Sequence, residues 1–501
     1  MSSEPDDALV VDPERRWRTA EVRDVADRIA HLARAASEGA LGRRRVAVFA
    51  ENSAMAVIAH LGGLRSGASV VAINSHLAAP EVAYQLDVGD VALLLAGPGT
   101  AERAREAVAL ASVPCEVRTW ADPDWSAWLA GAPAGPPPDD VPIPPNLLFT
   151  SGTTGRPKAT HLPPNVFPTR ASWAEFVEGA RANRFVGLGP HLVVAPLHHT
   201  GPLNAVRALA AGTPIVVLPR FDAAEALRTV ERERIASTTV VPTHLARFLA
   251  VDPELRGSVD VSSLRLVFLT GAACPVDVKR AIIEWWGPVV LEAYGATEVG
   301  VTNSITSEEW LERPGSVGRS VAPYTALVVD DAGREVPVGT EGRLYFRDAT
   351  GRGIVYEGDP ERTAAAHLEP GVFTLGEIGR LDDDGYAYIT DRFSDMVVTG
   401  GVNVYPAEME QALVAHPGVA DVAGIGLPHP DLGEQLVALV VASDPSAPPS
   451  AEELQSWCEA RLSRFKCPRE IRVVDTVGRN ALGKLDKRAL RTALGPPGDQ
   501  A

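Results

Sequence analysis

The chain contains few lysines and few cysteines, and it has no long hydrophobic run. Only five of its 501 residues are lysine, although lysine and arginine together number 47. The four cysteines show no paired metal-ligand spacing, and so few in so long a chain do not form a disulfide framework. No apolar run approaches the length that spans a bilayer, and the N-terminus is acidic where a secretory signal would be basic. We therefore expect a reduced, cytoplasmic protein.

Basic residues are also too few to balance the acidic ones. The formal net charge is −17, which argues against a nucleic-acid or anionic-membrane partner because both need a basic surface. Any polyanionic ligand must then be held by a local site. The apolar and charged fractions, 46% and 22%, are those of a globular protein, and the length favours two to four domains or subdomains.

The order of sequence patterns predicts an α/β fold. From about residue 10 to 130, helix-like stretches alternate with short apolar runs, which is typical of βαβ units around a parallel sheet. After the proline-rich connector at 132–145 the layered pattern continues, and beyond Gly315 shorter strands with turn signals indicate a β-rich subdomain. From about Ser394 the pattern predicts a separate small α+β domain, so we expect domains at 1–393 and 394–501.

The segment TSGTTGRPK follows an apolar strand and predicts a phosphate-binding loop. Glycines let the backbone approach a phosphate chain, hydroxyls and amides donate to it, and Lys158 neutralises charge. The spacing differs from that of the Walker loop. A flexible Ser/Gly linker is the alternative, but a linker needs neither the strand nor the terminal cation. The candidate ligands are Thr150, Ser151, Gly152, Thr153, Thr154, Gly155 and Lys158.

The segment YGATEVG, from Tyr294 to Gly300, has the parts of an adenosine site. Tyr294 offers an aromatic face, Gly295 and Ala296 leave room, Thr297 offers a hydroxyl, and Glu298 is a hard oxygen ligand for Mg²⁺. Alone the segment is a weak signal, since a turn that ends a buried strand has the same composition.

A third segment, from Leu375 to Glu410, offers acceptors for ribose hydroxyls at Glu377 and Asp391 and a fixed positive charge at Arg392. Gly400 and Gly401 would let a ligand pass close to the backbone. The aspartates at 382–384 are expected to form an ordinary hairpin turn with a solvated tip. Near the C-terminus Lys484 lies on a turn, and in isolation it is simply a surface lysine.

Taken together, these motifs resemble those of the adenylate-forming superfamily, in its acyl-CoA synthetase branch. Further family-like segments occur in order: APLHHTGPL from Ala195, LTGAACP from Leu269, RPGSVGR from Arg313, YEGDPERTAAA from Tyr356 and RFKCPREI from Arg464. The resemblance implies a large N-terminal domain and a small mobile C-terminal domain. It also implies two half-reactions, in which a carboxylic acid is activated by ATP to an acyl-adenylate and then transferred to coenzyme A.

The resemblance implies a role for each matching residue. Lys484 would contact the carboxylate during adenylation, His199 would lie at the mouth of the acyl pocket, although a buried structural histidine is the alternative, and Glu298 would hold Mg²⁺. Tyr294 would cover the adenine, Glu377 would bind the ribose, and Arg392 would lie near the ribose and phosphate. Gly400 and Gly401 would leave room for coenzyme A. The remaining nucleotide-binding candidates are Gly271, Ala272, Ala273, Glu292 and Ala293.

Small residues along the acyl pocket, at Gly201, Ala205, Gly271 and Ala272, hint at a bulky or long acid. Lys466 matches a recurrent basic position of the small domain, whereas Lys279 and Lys487 are expected to be idle surface charges. A homodimer is compatible with the sequence, and the composition suggests a GC-rich bacterial source and a role such as secondary metabolism.

The sequence departs from the family pattern where Glu377 replaces the usual aspartate, where Ser394 occupies the hinge and where Ala159 follows Lys158. These departures motivate an alternative, a CoA ligase that is weak at adenylation and uses a preformed acyl-adenylate. Two further alternatives are an enzyme that loads a carrier protein and a non-catalytic nucleotide-binding relative. The presence of Lys158, Glu298 and Lys484 favours the two-step ligase.

Overall fold

The structure is a computed structural model. It describes residues 7–37, 45–150, 157–272, 274, 276–330, 332–356, 359–392, 397–404, 406–478 and 487–494.

The described strands are numbered in chain order. They are β1 (Ala8–Val11), β2 (Arg16–Arg18), β3 (Arg45–Phe49), β4 (Val70–Ile73), β5 (Val91–Ala96), β6 (Glu116–Thr119), β7 (Leu147–Thr150), β8 (Lys158–His161), β9 (His191–Val193), β10 (Ile215–Val217), β11 (Ser237–Val240), β12 (Leu266–Leu269), β13 (Val290–Ala296), β14 (Gly300–Ile305), β15 (Ser316–Ser320), β16 (Tyr324–Val329), β17 (Gly342–Asp348), β18 (His367–Glu369), β19 (Val372–Phe373), β20 (Glu377–Leu381), β21 (Tyr386–Arg392), β22 (Val397–Thr399), β23 (Val402–Val404), β24 (Val419–His429), β25 (Gly433–Ala442) and β26 (Glu470–Val473).

The described helices are numbered in the same way. They are α1 (Thr19–Ala36), α2 (Ala54–Arg65), α3 (Ala79–Val88), α4 (Ala101–Leu110), α5 (Trp125–Ala130), α6 (Trp173–Ala180), α7 (Thr200–Ala210), α8 (Ala223–Arg232), α9 (Pro242–Leu249), α10 (Pro253–Ser258), α11 (Val276–Trp286), α12 (Ser307–Glu312), α13 (Pro360–Ala365), α14 (Pro406–Val414), α15 (Ala451–Glu459) and α16 (Lys487–Leu494).

The first sheet has the strand order β6-β5-β3-β4-β7-β8. Its strands are parallel except for the last pair, β7 and β8, which form an antiparallel hairpin. Strands β3, β4 and β5 are almost entirely buried apolar runs, as parallel strands covered on both faces must be. The predicted βαβ region is therefore confirmed, although β1 and β2 leave it and join a different sheet.

The second sheet combines a parallel half with an antiparallel half. Strands β1, β10, β9, β11, β12 and β13 pair in parallel. From β13 through β14, β15 and β21 to β20, β17 and β19 the pairing is antiparallel. The change from parallel to antiparallel pairing occurs between β13 and β14. The antiparallel strands beyond Gly315 confirm the predicted β-rich subdomain, because closely spaced turns can connect only antiparallel neighbours.

The hairpin β20–β21 confirms the predicted turn with its solvated tip, since Asp383 and Asp384 are exposed. Asp382 accepts hydrogen bonds from the backbone of Asp384 and Tyr386 and shapes the turn. Arg313 then pairs with Asp384 at 2.7 Å and lies 3.9 Å from Asp382. The tip is thus bound to a neighbouring arginine, which the local sequence could not indicate.

The third sheet contains residues from the last part of the chain only, with the order β23-β22-β25-β24 and β26 beside β25. It has its own apolar core, which includes Val397, Met409, Leu413 and Leu436. A small α+β unit is therefore confirmed. The exact boundary at residue 393 remains a prediction, because residues 393–396 lie outside the described part.

Candidate functional site

The parallel strands of the second sheet end along one edge, where they bring three predicted segments and the neighbouring Val241 together. His199 follows β9, Val241 follows β11, Gly271 follows β12, and Tyr294 lies near the end of β13. Since the carboxyl ends of parallel strands share one edge of a sheet, this is where an α/β fold places its ligands. Thr200 at the start of α7 and Thr297 after β13 are joined by a hydrogen bond of 2.9 Å between their hydroxyls.

The predicted phosphate loop closes the hairpin β7–β8, in which Thr150 pairs with Lys158. The Nζ atom of Lys158 is buried and has no hydrogen-bond partner among the described residues. It lies 5.5 Å from the centre of the Tyr356 ring. A buried ammonium group without an anion costs free energy, so its placement fits a site that receives a phosphate.

Tyr294 and Glu377, predicted as adenine and ribose ligands, are in direct contact. The Tyr294 hydroxyl donates to Oε2 of Glu377 at 2.6 Å, and the glutamate is buried. The two residues are 83 positions apart in the sequence. Arg392 lies opposite Glu377 in the β20–β21 ladder, so the backbone also brings this predicted phosphate ligand to the same place.

Glu298 lies at the start of the turn after β13 and is buried. Its backbone carbonyl accepts a hydrogen bond of 3.2 Å from Arg352, and burial lowers the pKa of that arginine. A buried carboxylate is a suitable oxygen ligand for Mg²⁺. No group of three or more histidine, cysteine, aspartate or glutamate side chains suited to a metal occurs in the described part of the chain. The donors present therefore fit an ion held by one carboxylate together with substrate phosphates.

The glycine pair of the small unit lies against the large unit at the same edge. A Cβ atom at Gly401 would lie 3.0 Å from the Val241 side chain and 3.3 Å from the Thr243 hydroxyl. Gly400 and Gly401 both have positive φ, 58° and 81°, which favours glycine. The turn between β22 and β23 therefore contacts the beginning of α9, close to Gly271.

The His199 side chain is exposed to water, although many protein atoms surround it. This crowded position lowers the pKa of His199 to about 4, because a charged ring would lose hydration there. Burial, followed by the neighbouring His199, holds the pKa of His198 well below its usual value, and the two rings are 4.3 Å apart. Both histidines are therefore neutral near pH 7.

The hint of a roomy acyl pocket remains a prediction, and two of its four residues each have a close neighbour. A Cβ atom at Gly201 would lie 3.2 Å from the side chain of Thr239 and 3.6 Å from that of Thr270. At Gly271 it would lie 3.3 Å from Val241. These neighbours lie close to one side of each glycine, and Gly271 itself is exposed.

The carboxylate of Glu292, a predicted nucleotide ligand, pairs with a buried lysine instead. Its Oε2 accepts from Lys279 Nζ at 2.5 Å, and the lysine is fully buried over the Trp310 ring. The expectation that Lys279 is an idle surface charge is therefore wrong. The same expectation fails for Lys487, which pairs with Glu410 at 2.7 Å. Ala293, by contrast, is buried in an apolar cluster with Phe185, Ala208 and Phe268.

Several predicted site residues lie outside the described part of the chain. They are Ser151, Gly152, Thr153, Thr154, Gly155, Ala273 and Lys484. Ala272 follows Gly271 and is half-buried, and Gly295 and Ala296 pair with β14. The roles of these residues remain predictions.

The sequence reasoning missed Tyr356 as the neighbour of Lys158 and Val241 and Thr243 as the neighbours of Gly401. Tyr356 opens a segment that was used only as a family signature. Val241 and Thr243 carry no local signal beyond their position directly after a buried strand. That position is the one indication from which they could have been found.

Sequence profiles and relatives define the class. The profile described as AMP-binding enzyme matches residues 1–353, and the profile of the AMP-binding enzyme C-terminal domain matches residues 408–484. The chain belongs to the AMP-binding enzyme family. This confirms the resemblance to the acyl-CoA synthetase branch of the adenylate-forming enzymes.

Three curated relatives illustrate the match. A long-chain-fatty-acid–CoA ligase of Mycobacterium tuberculosis is 32% identical, over 89% of this chain and 87% of the relative. A feruloyl-CoA synthase of an Amycolatopsis species is 31% identical, over 86% and 85%. A fatty acid–[acyl-carrier-protein] ligase of Streptomyces coeruleorubidus is 31% identical, over 93% and 89%. Taken with the family profile, the CoA ligases among the relatives confirm the predicted class, an AMP-forming acid–CoA ligase.

Solved structures agree over nearly the full length. The amide bond synthetase of Marinactinospora thermotolerans has a TM-score of 0.84 at 28% identity, covering 98% of each chain. A double mutant of o-succinylbenzoate CoA synthetase from Bacillus subtilis, bound to its product analogue, has a TM-score of 0.78 at 25% identity, covering 97% of this chain and 95% of that one. The same synthetase with its acyl-adenylate intermediate reaches only 0.63, covering 98% and 96%.

Proposed function

We propose that this chain activates a compact carboxylic acid with ATP and transfers the acyl group from the adenylate to coenzyme A, using the cleft described above for both steps. The observation that carries the proposal is the buried ammonium group of Lys158, which ends the predicted phosphate-binding segment and has no hydrogen-bond partner among the described residues. A folded protein retains such a group where a ligand supplies the missing anion.

In the first step the residues act by position and charge. Tyr294 and Glu377 hold the adenosine, Lys158 meets the phosphates, and Glu298 holds Mg²⁺, which would neutralise phosphate charge. The carboxylate oxygen of the acid attacks the α-phosphorus, and the bond to pyrophosphate breaks. Lys484 would contact the carboxylate in this step. His199, neutral near pH 7, adds no charge beside the acid.

In the second step the thiol of coenzyme A attacks the acyl carbonyl, and AMP leaves with the electron pair of the broken carbon–oxygen bond. The contact of Gly401 with Val241 and Thr243 supports an arrangement suited to this step. The higher TM-score with the product-analogue complex, 0.78 against 0.63, supports the same arrangement. The small glycines would leave the thiol-bearing arm a path to the cleft.

A compact acid fits the packing better than a long chain. Thr239 and Thr270 bound the space beside Gly201, and Val241 bounds one side of Gly271. Deeper in the same layer, Phe185 and Phe268 fill the cluster around Ala208 and Ala293. Close-packed interiors do not yield room without a cost in free energy.

Location and assembly are proposed only from the sequence. We keep the expectation of a cytoplasmic enzyme and of a possible homodimer, with no nucleic-acid or membrane partner. Among the described residues, no helix combines the length and apolarity needed to cross a bilayer.

The test is a panel of acids with ATP and coenzyme A, from short aliphatic and single-ring aromatic acids to long-chain fatty acids, scored separately for AMP and thioester. We expect compact acids to give both products and long chains to give little. Preference for long chains would contradict the compact pocket. A wild-type enzyme that converts no acid, and no synthetic acyl-adenylate, would contradict the function itself.

Two variants assign the steps. Lys158→Met should reduce acid-dependent ATP–pyrophosphate exchange by about 10²–10³-fold, the usual cost of one lost transition-state contact. Lys484→Ala should lose thioester formation from free acid but retain it from the acyl-adenylate.

If wild-type enzyme made thioester only from acyl-adenylate, the alternative of a ligase weak at adenylation would be correct. If it acylated a carrier protein but not coenzyme A, the carrier-loading alternative would hold.

A further inference from the structure

A buried cluster of charged groups joins the small unit to the large one, away from the cleft. Lys466 Nζ donates to Oε1 of Glu81 at 2.8 Å and to Oε2 of Glu408 at 2.7 Å. Ser463 Oγ donates to Oε2 of Glu81 at 2.5 Å. The Lys466, Glu81 and Glu408 side chains are only 7%, 11% and 3% exposed. These contacts therefore form in an interior, where charge-assisted hydrogen bonds are strongest.

The cluster divides between the two units. Glu81 lies in the first turn of α3 in the large unit, whereas Glu408 lies in α14 and Ser463 and Lys466 lie beyond α15 in the small unit. The backbone N–H of Ala78 donates to Glu81 at 3.0 Å and to Ser463 at 3.2 Å. The small unit thus completes the hydrogen bonding at the N-terminus of α3.

Apolar packing surrounds the charged cluster on both sides of the contact between the units. Phe465, between Ser463 and Lys466, packs against the apolar clusters of both units. Its ring centre is 6.5 Å from that of His76. Burial alone would lower the pKa of Lys466, but the carboxylates of Glu408 and Glu81 outweigh it and raise the pKa, so the lysine is charged.

Lys466 and Glu81 differ in the partners that they keep when the two units separate. Lys466 keeps Glu408 as a partner within its own unit, so it retains one ion pair in either arrangement. Glu81 has Lys466 and Ser463 only while the two units are in the arrangement seen here. Removing the Glu81 carboxylate therefore weakens this arrangement of the two units and does not affect any other arrangement of them.

We propose that Glu81 is a positioning residue for the coenzyme A half-reaction: its contacts with Lys466 and Ser463 hold the small unit where Gly401 lies beside Val241 and Thr243. The proposal rests on the proposed function, because it assumes that the other half-reaction uses a different arrangement. Glu81 touches no substrate and acts only through the position of the small unit.

The test is Glu81→Gln, which keeps an acceptor for the Ala78 N–H but removes the charge opposite Lys466. Single-turnover thioester formation from synthetic acyl-adenylate and coenzyme A should slow by about 10- to 100-fold, the range expected for a lost charge-assisted hydrogen bond. Acid-dependent ATP–pyrophosphate exchange should change by less than about twofold. Ser463→Ala should show the same selectivity with a smaller effect, since a neutral donor is lost.

The matched control is Glu21→Gln. Glu21 occupies the same position in the first turn of α1 and accepts from the Arg18 N–H at 2.8 Å, but its partners are local. It should leave both half-reactions unchanged. Equal loss of both half-reactions in Glu81→Gln, or loss of neither, would overturn the proposal.

A second measurement does not depend on the acid. Hydrogen–deuterium exchange across residues 76–84 should accelerate in Glu81→Gln and not in Glu21→Gln, because the small unit no longer covers the start of α3. Unchanged exchange there would also overturn the proposal. An inactive wild-type enzyme with accelerated exchange in Glu81→Gln would instead refute the proposed function and leave the contact established.

Discussion

Lys279 and Lys158 both have buried ammonium groups, but the surroundings of these groups differ. Lys279 has a carboxylate partner in Glu292 at 2.5 Å, whereas the ammonium group of Lys158 has no hydrogen-bond partner in the described part of the chain. Burial lowers the pKa of Lys279, although Glu292 opposes that effect, and burial raises the pKa of Glu292. The Lys279–Glu292 pair joins helix α11 to strand β13, whereas Lys158 is proposed to bind the phosphates of a ligand.

This difference yields a prediction about stability. Lys279→Met leaves Glu292 buried without its cation and should lower the free energy of unfolding by about 3–5 kcal/mol in urea denaturation. Adding Glu292→Gln should recover most of the loss, because no buried charge then remains unpaired. Arg181→Met, which breaks an exposed pair with Glu178, should cost less than about 1 kcal/mol. An equal loss in both single variants would show that burial does not govern the Lys279 pair.

At the scale of elements, the β13–β14 turn decides whether the nucleotide residues are held in place. A Cβ atom at Gly295 would lie 1.9 Å from the carbonyl oxygen of Gly300, which the backbone cannot accommodate. The glycine permits a register shift in the ladder between Tyr294 and Gly295. The positions of Tyr294, Thr297 and Glu298 therefore depend on Gly295, which has no side chain.

Gly295→Ala should cost about 1–3 kcal/mol of stability and should abolish the rise in melting temperature that ATP gives the wild-type enzyme. Gly257→Ala is the matched control, since a Cβ atom there meets nothing within 4 Å and lies in helix α10. The control should be neutral or slightly stabilising. Retention of the full ATP shift in Gly295→Ala would contradict the role given to this turn.

The whole molecule carries a pH dependence that comes from buried neutral histidines. Burial lowers the pKa of His60, His191 and His244 to about 3 in each case. Each has a ring nitrogen that is buried without a hydrogen-bond partner among the described residues. An unfolded histidine has a pKa near 6.5, so the unfolded state binds more protons below that pH. Stability is therefore fully present above about pH 6.5 and is lost as the pH falls toward 3.

At pH 5 each of these histidines should lower the free energy of unfolding by about 2 kcal/mol relative to pH 7. Urea denaturation at the two pH values measures the difference. His244→Gln should reduce it by one such increment, whereas His31→Gln, a surface variant on α1, should leave it unchanged. If His244→Gln kept the full wild-type difference, proton uptake by this buried ring would not be its cause.

The arrangement of the two units also belongs to the scale of the whole molecule. Gly401 against Val241, the Glu81–Lys466 contact and the higher TM-score with a product-analogue complex agree on one arrangement. Arg247 and Asp431, 3.6 Å apart at the exposed rim, add little because water screens them.

The sequence by itself determined the element types and the chemistry of the motifs. Helix α1 coincides with its amphipathic stretch, and the hairpins after Val329 and Leu381 follow their turn residues, because these features depend on neighbours a few positions away. Tyr294 and Glu377 could be assigned to the same nucleotide site only through the resemblance, since 83 positions separate them.

Only the tertiary structure decided which charges are buried and with whom. Lys279 looks like a surface lysine until helix α11 is packed against β13, and Glu81 looks like an ordinary first-turn glutamate until Lys466, 385 positions later, reaches it. Likewise, the sequence does not indicate that Thr239 and Thr270 lie beside Gly201 or that Val241 lies beside Gly271. Burial and long-range pairing arise from how elements pack, and local sequence patterns do not indicate where a distant partner lies.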